Sequence, residues 1–244
     1  MSFYPDNTLS SFTTRLPNSI DLDGDWEVGL VEIQYPHNWY NVPKDEGRIY
    51  NTFFISTPQD FVGELWIDPG YYPSVEKLVE TIEHKMNNAT NRTVKRVKWY
   101  YSPITGKVKV LFHEGMQFRL VPHMQRMLGL HSDIFDVSSG QTLQGEEITD
   151  LDPIDSMYVY CDVVEPRVVG DSLVPLLRIV PVEGEHNDLV TRIYENVHYV
   201  RLQRKSFEAI EINIRDRTGQ KVPFERGTLN VTLHFRQRKR LSTL

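Results

Sequence analysis

Apolar and polar residues alternate with a period of two along most of this chain, the spacing of β-strands. Ile210, Ile212 and Ile214 alternate with Glu211, Asn213 and Arg215; Leu229, Val231, Leu233 and Phe235 alternate with Asn230, Thr232, His234 and Arg236. Each run predicts a strand with one dry and one wet face, as in antiparallel sheets. Val97, Trp99 and Tyr101, then Val108, Val110 and Phe112, repeat the pattern on either side of the turn segment 102–106, which predicts a hairpin. Trp26, Val28 and Leu30 share a face, but Val31 and Ile33 switch sides. That predicts a bulge near Gly29 or Leu30, or burial of both faces. Further strands are expected over 48–56, 63–67, 116–121, 157–164, 173–182 and 194–203.

One segment has the helical period instead. Val75, Leu78, Val79, Ile82 and Met86 fall on one face of a helix. Pro73-Ser74 supplies its start, Glu76 and Lys85 suit the macrodipole at its two ends, and Asn87-Asn88 supplies its stop. A shorter helical turn is expected over 122–128, within a long acidic excursion over 122–153. No repeat, low-complexity tract or linker divides the chain. One-sided strands with a single good helix bury their dry faces against another sheet. The expected fold is all-β: a single jelly-roll sandwich of about eight antiparallel strands with one inserted helix, spanning residues 1–244 as one domain. Trp26, Ile212 and Leu233 are expected between the sheets.

Composition narrows the class. With 40% hydrophobic and 25% charged residues over 244 positions, the chain is ordinary for a globular protein. Its most apolar stretch, 173–182, is short and carries Arg178, so no membrane span is expected. The first residues lack a basic and then apolar leader, so the reading is an intracellular protein with no secretory signal, and the N-x-T sequons at Asn88, Asn91 and Asn230 are chance matches. A single cysteine, Cys161, excludes an internal disulfide framework. Charge is uneven. Residues 127–166 hold nine acids and no Lys or Arg, whereas residues 192–244 hold twelve Lys and Arg against five acids.

Candidate chemistry is sparse. There is no G-x-S-x-G, P-loop or H-E-x-x-H motif, and the eight histidines are scattered without H-x-H spacing. No catalytic, cofactor-binding or metal residues are assigned. Cys161 lies in an apolar run and reads as a buried thiol. Asp21, Asp23 and Asp25 read as a turn between strands. Glu146, Glu147, Asp150, Asp152 and Asp155 read as a solvated acidic loop. Two segments suit interaction. Residues 1–19, with Phe3, Tyr4, Leu9 and Phe12, read either as an arm that docks on a neighbouring subunit or as a strand of the chain's own sheet. The C-terminal tail over 236–244, with Arg236, Arg238, Lys239 and Arg240, suits contact with nucleic-acid phosphates, a lumenal position or a nuclear localisation patch.

Several blocks carry a family resemblance. Residues Phe12 to Pro17, Ile20 to Pro36 with Trp26-Glu27-Val28 and Tyr35-Pro36, Trp39 to Val42, Gly70 to Val75, and Phe207 to Asp216 followed by Gly219 and Pro223-Phe224 resemble the minor capsid, or penton, proteins of Polinton (Maverick) elements, virus-like transposons related to adintoviruses. The resemblance spans most of the chain. It implies a non-enzymatic jelly roll that forms homopentamers at the five-fold vertices of an icosahedral virion. It also implies a double-jelly-roll major capsid protein as neighbour, and assembly inside the host cell, in nucleus or cytoplasm. The other readings are a carbohydrate-binding or enzymatic jelly roll, with Trp39, Tyr40, Tyr71 and Tyr72 as a stacking platform, and a host-domesticated interaction module.

Overall fold

The computed structural model describes residues 4–44, 51–56, 61–89, 97–113, 115–131, 135–138, 140–151 and 154–238. In chain order, β1 (Ser11–Asp21) and β2 (Trp26–Pro36) lead into β3 (Thr52–Ser56), β4 (Phe61–Trp66), α1 (Val75–Asn88), β5 (Val97–Ser102), β6 (Lys107–Phe112), β7 (Met116–Leu120), α2 (Pro122–Leu128), β8 (Phe135–Val137) and β9 (Thr142–Gln144). Then follow β10 (Ser156–Cys161), β11 (Arg167–Val169), β12 (Ser172–Val174), β13 (Leu176–Pro181), β14 (Leu189–Ile193), β15 (Tyr199–Arg201), β16 (Ser206–Arg215) and β17 (Asn230–Gln237). They make two compact units, Met1–Trp39 with Ile154–Leu244, and the inserted Tyr40–Pro153. No linker marks the first crossing: Trp39 is buried in the core of one unit and Val42 in the core of the other.

The first unit is the jelly-roll-like sandwich. One sheet runs β1–β16–β10–β13, all antiparallel. The other centres on β2, with β17 along one edge and β14 and β15 end to end along the other. Six of these eight fall in segments where alternation predicts a strand; β14 was not foreseen, β1 stood open between arm and strand, and the other predicted strands belong to the second unit. The bulge is real and sits at Val31: Thr232 pairs with Glu32 and Leu233 with Leu30, so Val31 has no partner on β17. The extra residue lets Val28 and Leu30 before it, and Ile33 and Tyr35 after it, all face the core. Opposite them lie Met157, Val159 and Cys161 of β10 and Ile210, Ile212 and Ile214 of β16. The Tyr35 hydroxyl accepts the Glu183 N–H at 2.9 Å, so its burial leaves no orphaned phenol.

Three expectations shift here. Ile212 is buried, but Leu233 is only partly so, because β17 is an edge strand whose inward residues keep one open flank. Trp26 is half-buried, and its indole N–H donates to the Asp23 carbonyl in the adjoining turn. The strand expected over 173–182 breaks at Pro175 into β12 and β13; a proline has no N–H for a ladder.

The second unit holds the sheets β4–β3–β7–β8 and β5–β6–β9 with both helices. The hairpin runs from Val97 opposite Phe112 to Ser102 opposite Lys107. Ser74 caps α1 by accepting the Lys77 N–H, and Val75, Leu78, Val79, Ile82 and Met86 form its buried face. Polar side chains fix α1 to β5. The Asn87 amide brackets Val97, donating to its carbonyl and accepting its N–H, and the Glu83 carboxylate accepts the Trp99 N–H at 2.9 Å. Phe118 stacks between Phe112 and Phe135 in the core. The second helix, α2, ends at Gly129 in the left-handed conformation.

Gly129 tests this packing. A Cβ there would lie 2.2 Å from the Glu147 carbonyl oxygen at a backbone φ of +65°. Gly129→Ala is expected to destabilise by about 2–4 kcal/mol through strain and displaced backbone. Gly170 has a similar φ of +62° but open space around it. Gly170→Ala is expected to cost only ~1 kcal/mol, the left-handed penalty by itself. Urea melts of both variants check the difference, and equal midpoints would count against the packing described. Ile212→Ala is expected to cost about 2–5 kcal/mol, as for other large-to-small changes in a core.

Candidate functional site

The two segments singled out for interaction are more tightly bound into the first unit than their composition implies. Phe3 lies outside the described residues, and Tyr4 is half-buried ahead of β1. The Asn7 side chain brackets Thr13, donating to its carbonyl and accepting its N–H, both at 2.9 Å. The Ser10 carbonyl accepts the Ile214 N–H at 2.6 Å, and its hydroxyl donates to the Val222 carbonyl. Phe12 sits opposite Ile212 and packs on the core. Residues 11–21 are therefore a strand of the chain's own sheet rather than a free arm, and Phe12 is spent on internal packing.

The basic tail begins later than its sequence suggests. Arg236 is part of β17. Its guanidinium donates to the Glu27 carboxylate at 2.6 Å and lies 3.4 Å from the centre of the Tyr199 ring. The Tyr199 hydroxyl meets His234 Nδ1 at 2.8 Å, which completes a ladder across the outer face of the sheet. Arg238 donates its backbone N–H to the Asp25 carbonyl at 2.8 Å. Lys239 and Arg240 lie outside the described residues. Of the four tail cations, Arg236 is thus a structural residue.

The acidic residues do not converge. Glu147 pairs with His131 at 3.0 Å and Asp155 with Arg217 at 3.7 Å, while Asp152 lies outside the described residues. Among the described residues, no group of three or more His, Cys, Asp and Glu side chains is placed to hold a metal ion. The aromatic platform fails as a unit. Trp39 is 1% exposed and stacked on His37 at 4.4 Å, and the Tyr72 hydroxyl donates to the Asp68 carbonyl.

One concavity was not foreseen. An open cleft of about 730 Å³ lies between the β11–β12 ribbon and the outer faces of β10 and β16, lined by Tyr158, Tyr160, Glu211, Asn213 and Arg215 among others. Gly170-Asp171 between Val168-Val169 and Leu173-Val174 is the sequence signal of this ribbon. It is masked because Leu173 and Val174 read just as well as the start of a longer strand. On the cleft's flank Cys161 is buried, and burial pushes its thiol up to about 12.

Among the described residues, then, the sandwich carries an open cleft on its outer face and no metal-binding cluster. Comparison with solved structures gives that architecture a counterpart. One match is to the mavirus penton protein. Its crystal structure aligns over 92% of this chain and 90% of its own, with a TM-score of 0.51 and 13% sequence identity. At that identity the likeness to the mavirus penton protein is one of fold. No family model and no curated protein sequence matches the chain. No helix among the described residues is long and apolar enough to cross a membrane.

The buried acids of the sandwich predict an alkaline limit. Burial raises Cys161 from an ordinary value of 9.0 to about 12, and raises Tyr35 and Tyr194 as well. A group that holds its proton more tightly when folded contributes stability below its unfolded pKa and loses it as pH climbs towards the folded value. The melting temperature is expected to hold up to about pH 9 and to decline above it. Cys161→Ala should remove the earliest part of that decline. A thiol reagent at pH 8 should label Cys161 only after unfolding, and rapid labelling of the folded chain would contradict its burial.

Proposed function

We propose that this chain is a minor capsid protein, the penton protein, of a Polinton or Maverick element or an adintovirus-like relative. It forms homopentamers at the five-fold vertices of an icosahedral virion. The observation that carries the reading is the agreement of two independent signals. One is backbone likeness to the mavirus penton protein over nearly the whole chain. The other is residue-level resemblance in blocks that fall on β1, β2, the approach to α1, and β16. Those blocks build the sandwich core and its first long connection, where a shared fold constrains sequence most.

In this reading the protein works by contact rather than catalysis. Its neighbours are further copies of itself and a double-jelly-roll major capsid protein. The tail beyond β17, with Arg238, Lys239 and Arg240, faces the lumen and contacts packaged DNA. Assembly takes place inside the host cell. The carbohydrate-binding alternative loses its motivation, because Trp39 belongs to the core.

A particle reconstruction tests the vertex: density for this chain at the five-fold axes is expected, and density elsewhere overturns the proposal. The tail is tested separately. A chain ending at Gln237 keeps the Arg236–Glu27 pair and gives up only the Arg238 N–H bond to the Asp25 carbonyl, so its melting temperature should fall by no more than about 4 °C. Its DNA affinity at low salt should fall, and the slope of log K against log salt should drop by about 2–3, one unit for each phosphate the tail no longer neutralises. Equal DNA binding by the shortened chain would remove the tail's role. Arg236→Ala should instead lower stability by about 1 kcal/mol with the tail intact.

A further inference from the structure

Two apolar patches on the first unit have no cover within it. The first is the β11–β12 ribbon, a two-stranded sheet bonded to no third strand. Its outward pair, Val168 opposite Leu173, is 75% and 68% exposed, and Ile179 on the following β13 is 42% exposed. A lone ribbon of this kind is marginal in water, and the open cleft separates it from the sheet behind. The second patch belongs to the other sheet. Leu189 and Ile193 lie on the outward side of β14, 61% and 64% exposed, while Val190 between them packs on the core. One patch extends the outer face of each sheet, so the two point away from each other across the sandwich.

Their size matters. The five side chains divide three to two, so each patch presents about 200 Å² of exposed aliphatic surface, and a contact that joins one patch to the other takes about 400 Å² of it out of water. That is about a quarter of the ~1,600 Å² of total surface that a standard interface buries, the rest falling to the polar surroundings of the two patches. The nearby cations are already engaged: Arg192 pairs with Glu183 at 2.9 Å, and Arg167 donates to the Leu177 carbonyl. Apolar contact is what these surfaces have to offer.

We propose that the two patches are the halves of one heterologous contact between copies of this chain. The ribbon and Ile179 of one copy pack on Leu189, Thr191 and Ile193 of the next. A two-fold contact through either patch alone leaves the other in water on both copies. A heterologous contact that closes into a ring covers both patches on every copy. The inference rests on the ring reading above and names its surface.

Cysteine cross-linking of the full chain tests it, since Cys161 is buried and Val168 and Ile193 are exposed. Chains carrying Val168→Cys and chains carrying Ile193→Cys are oxidised separately and mixed. The expected result is a mixed dimer in the mixture, little product from either variant alone, and a ladder of bands ending at the closed ring for the double variant. Dimers from a single variant overturn the contact in favour of a two-fold one. No adduct in the mixture, while native mass spectrometry shows a ring, also overturns the contact but leaves the ring standing. Neither ring nor adduct at the highest soluble concentration overturns both.

Discussion

The first unit depends on β2 being paired along both edges over most of its length. Three strands from the far end of the chain, β14, β15 and β17, all hydrogen-bond to it. The pairing works because of two local features. Val31 bulges out of the ladder with β17, so that apolar residues on both sides of it reach the same core. Gly29 lets the chain ahead of β15 come close: a Cβ there would meet the His198 carbonyl oxygen at 2.9 Å. If either feature fails, the second sheet loses its centre and the inward faces of β10 and β16 lose their cover.

Several polar groups that accompany this core are structural. The Tyr35 hydroxyl accepts a backbone N–H, and Arg236 lies between a carboxylate and a phenol ring. In the inserted unit Glu83 and Asn87 replace strand neighbours for β5. These charged side chains hold the chain's own elements in place, so the surface features left for recognition lie elsewhere. There the apolar ribbon and the outward row of β14 stand out, the two surfaces that the proposed ring contact uses.

The sheet pattern was legible where alternation was long and one-sided, as in β16, β17 and the β5–β6 hairpin. It also located α1, because five apolar residues at helical spacing followed a capping serine. It could not show the division into two units, since Trp39 and Val42 look alike as apolar residues yet enter different cores. Strands of three residues, such as β8, β9 and β11, are too short for any period to register. The interaction sites were least legible. Phe12 and Arg236 belong to types common at interfaces, but what each touches is set by partners some 200 residues away, Ile212 and Glu27. The exposed Val168, Leu173, Leu189 and Ile193 have the composition of core residues.

The insertion of Tyr40–Pro153 into the sandwich has a consequence for synthesis. The inserted unit is one continuous stretch and has all its partners once it leaves the ribosome. β2 is different: it is complete at Pro36, but β14 begins only at Leu189. At ~5–20 residues per second, β2 waits about 8–30 s for its first neighbour and longer for β17. Through that interval a strand rich in Val, Leu, Ile and Tyr has both edges open, the state most prone to pairing with another nascent chain. Many copies made on one messenger would share that exposure. The inserted unit, folding first, stands between the early strands of one chain and its own late ones, and the sandwich closes only after the last strand has been made.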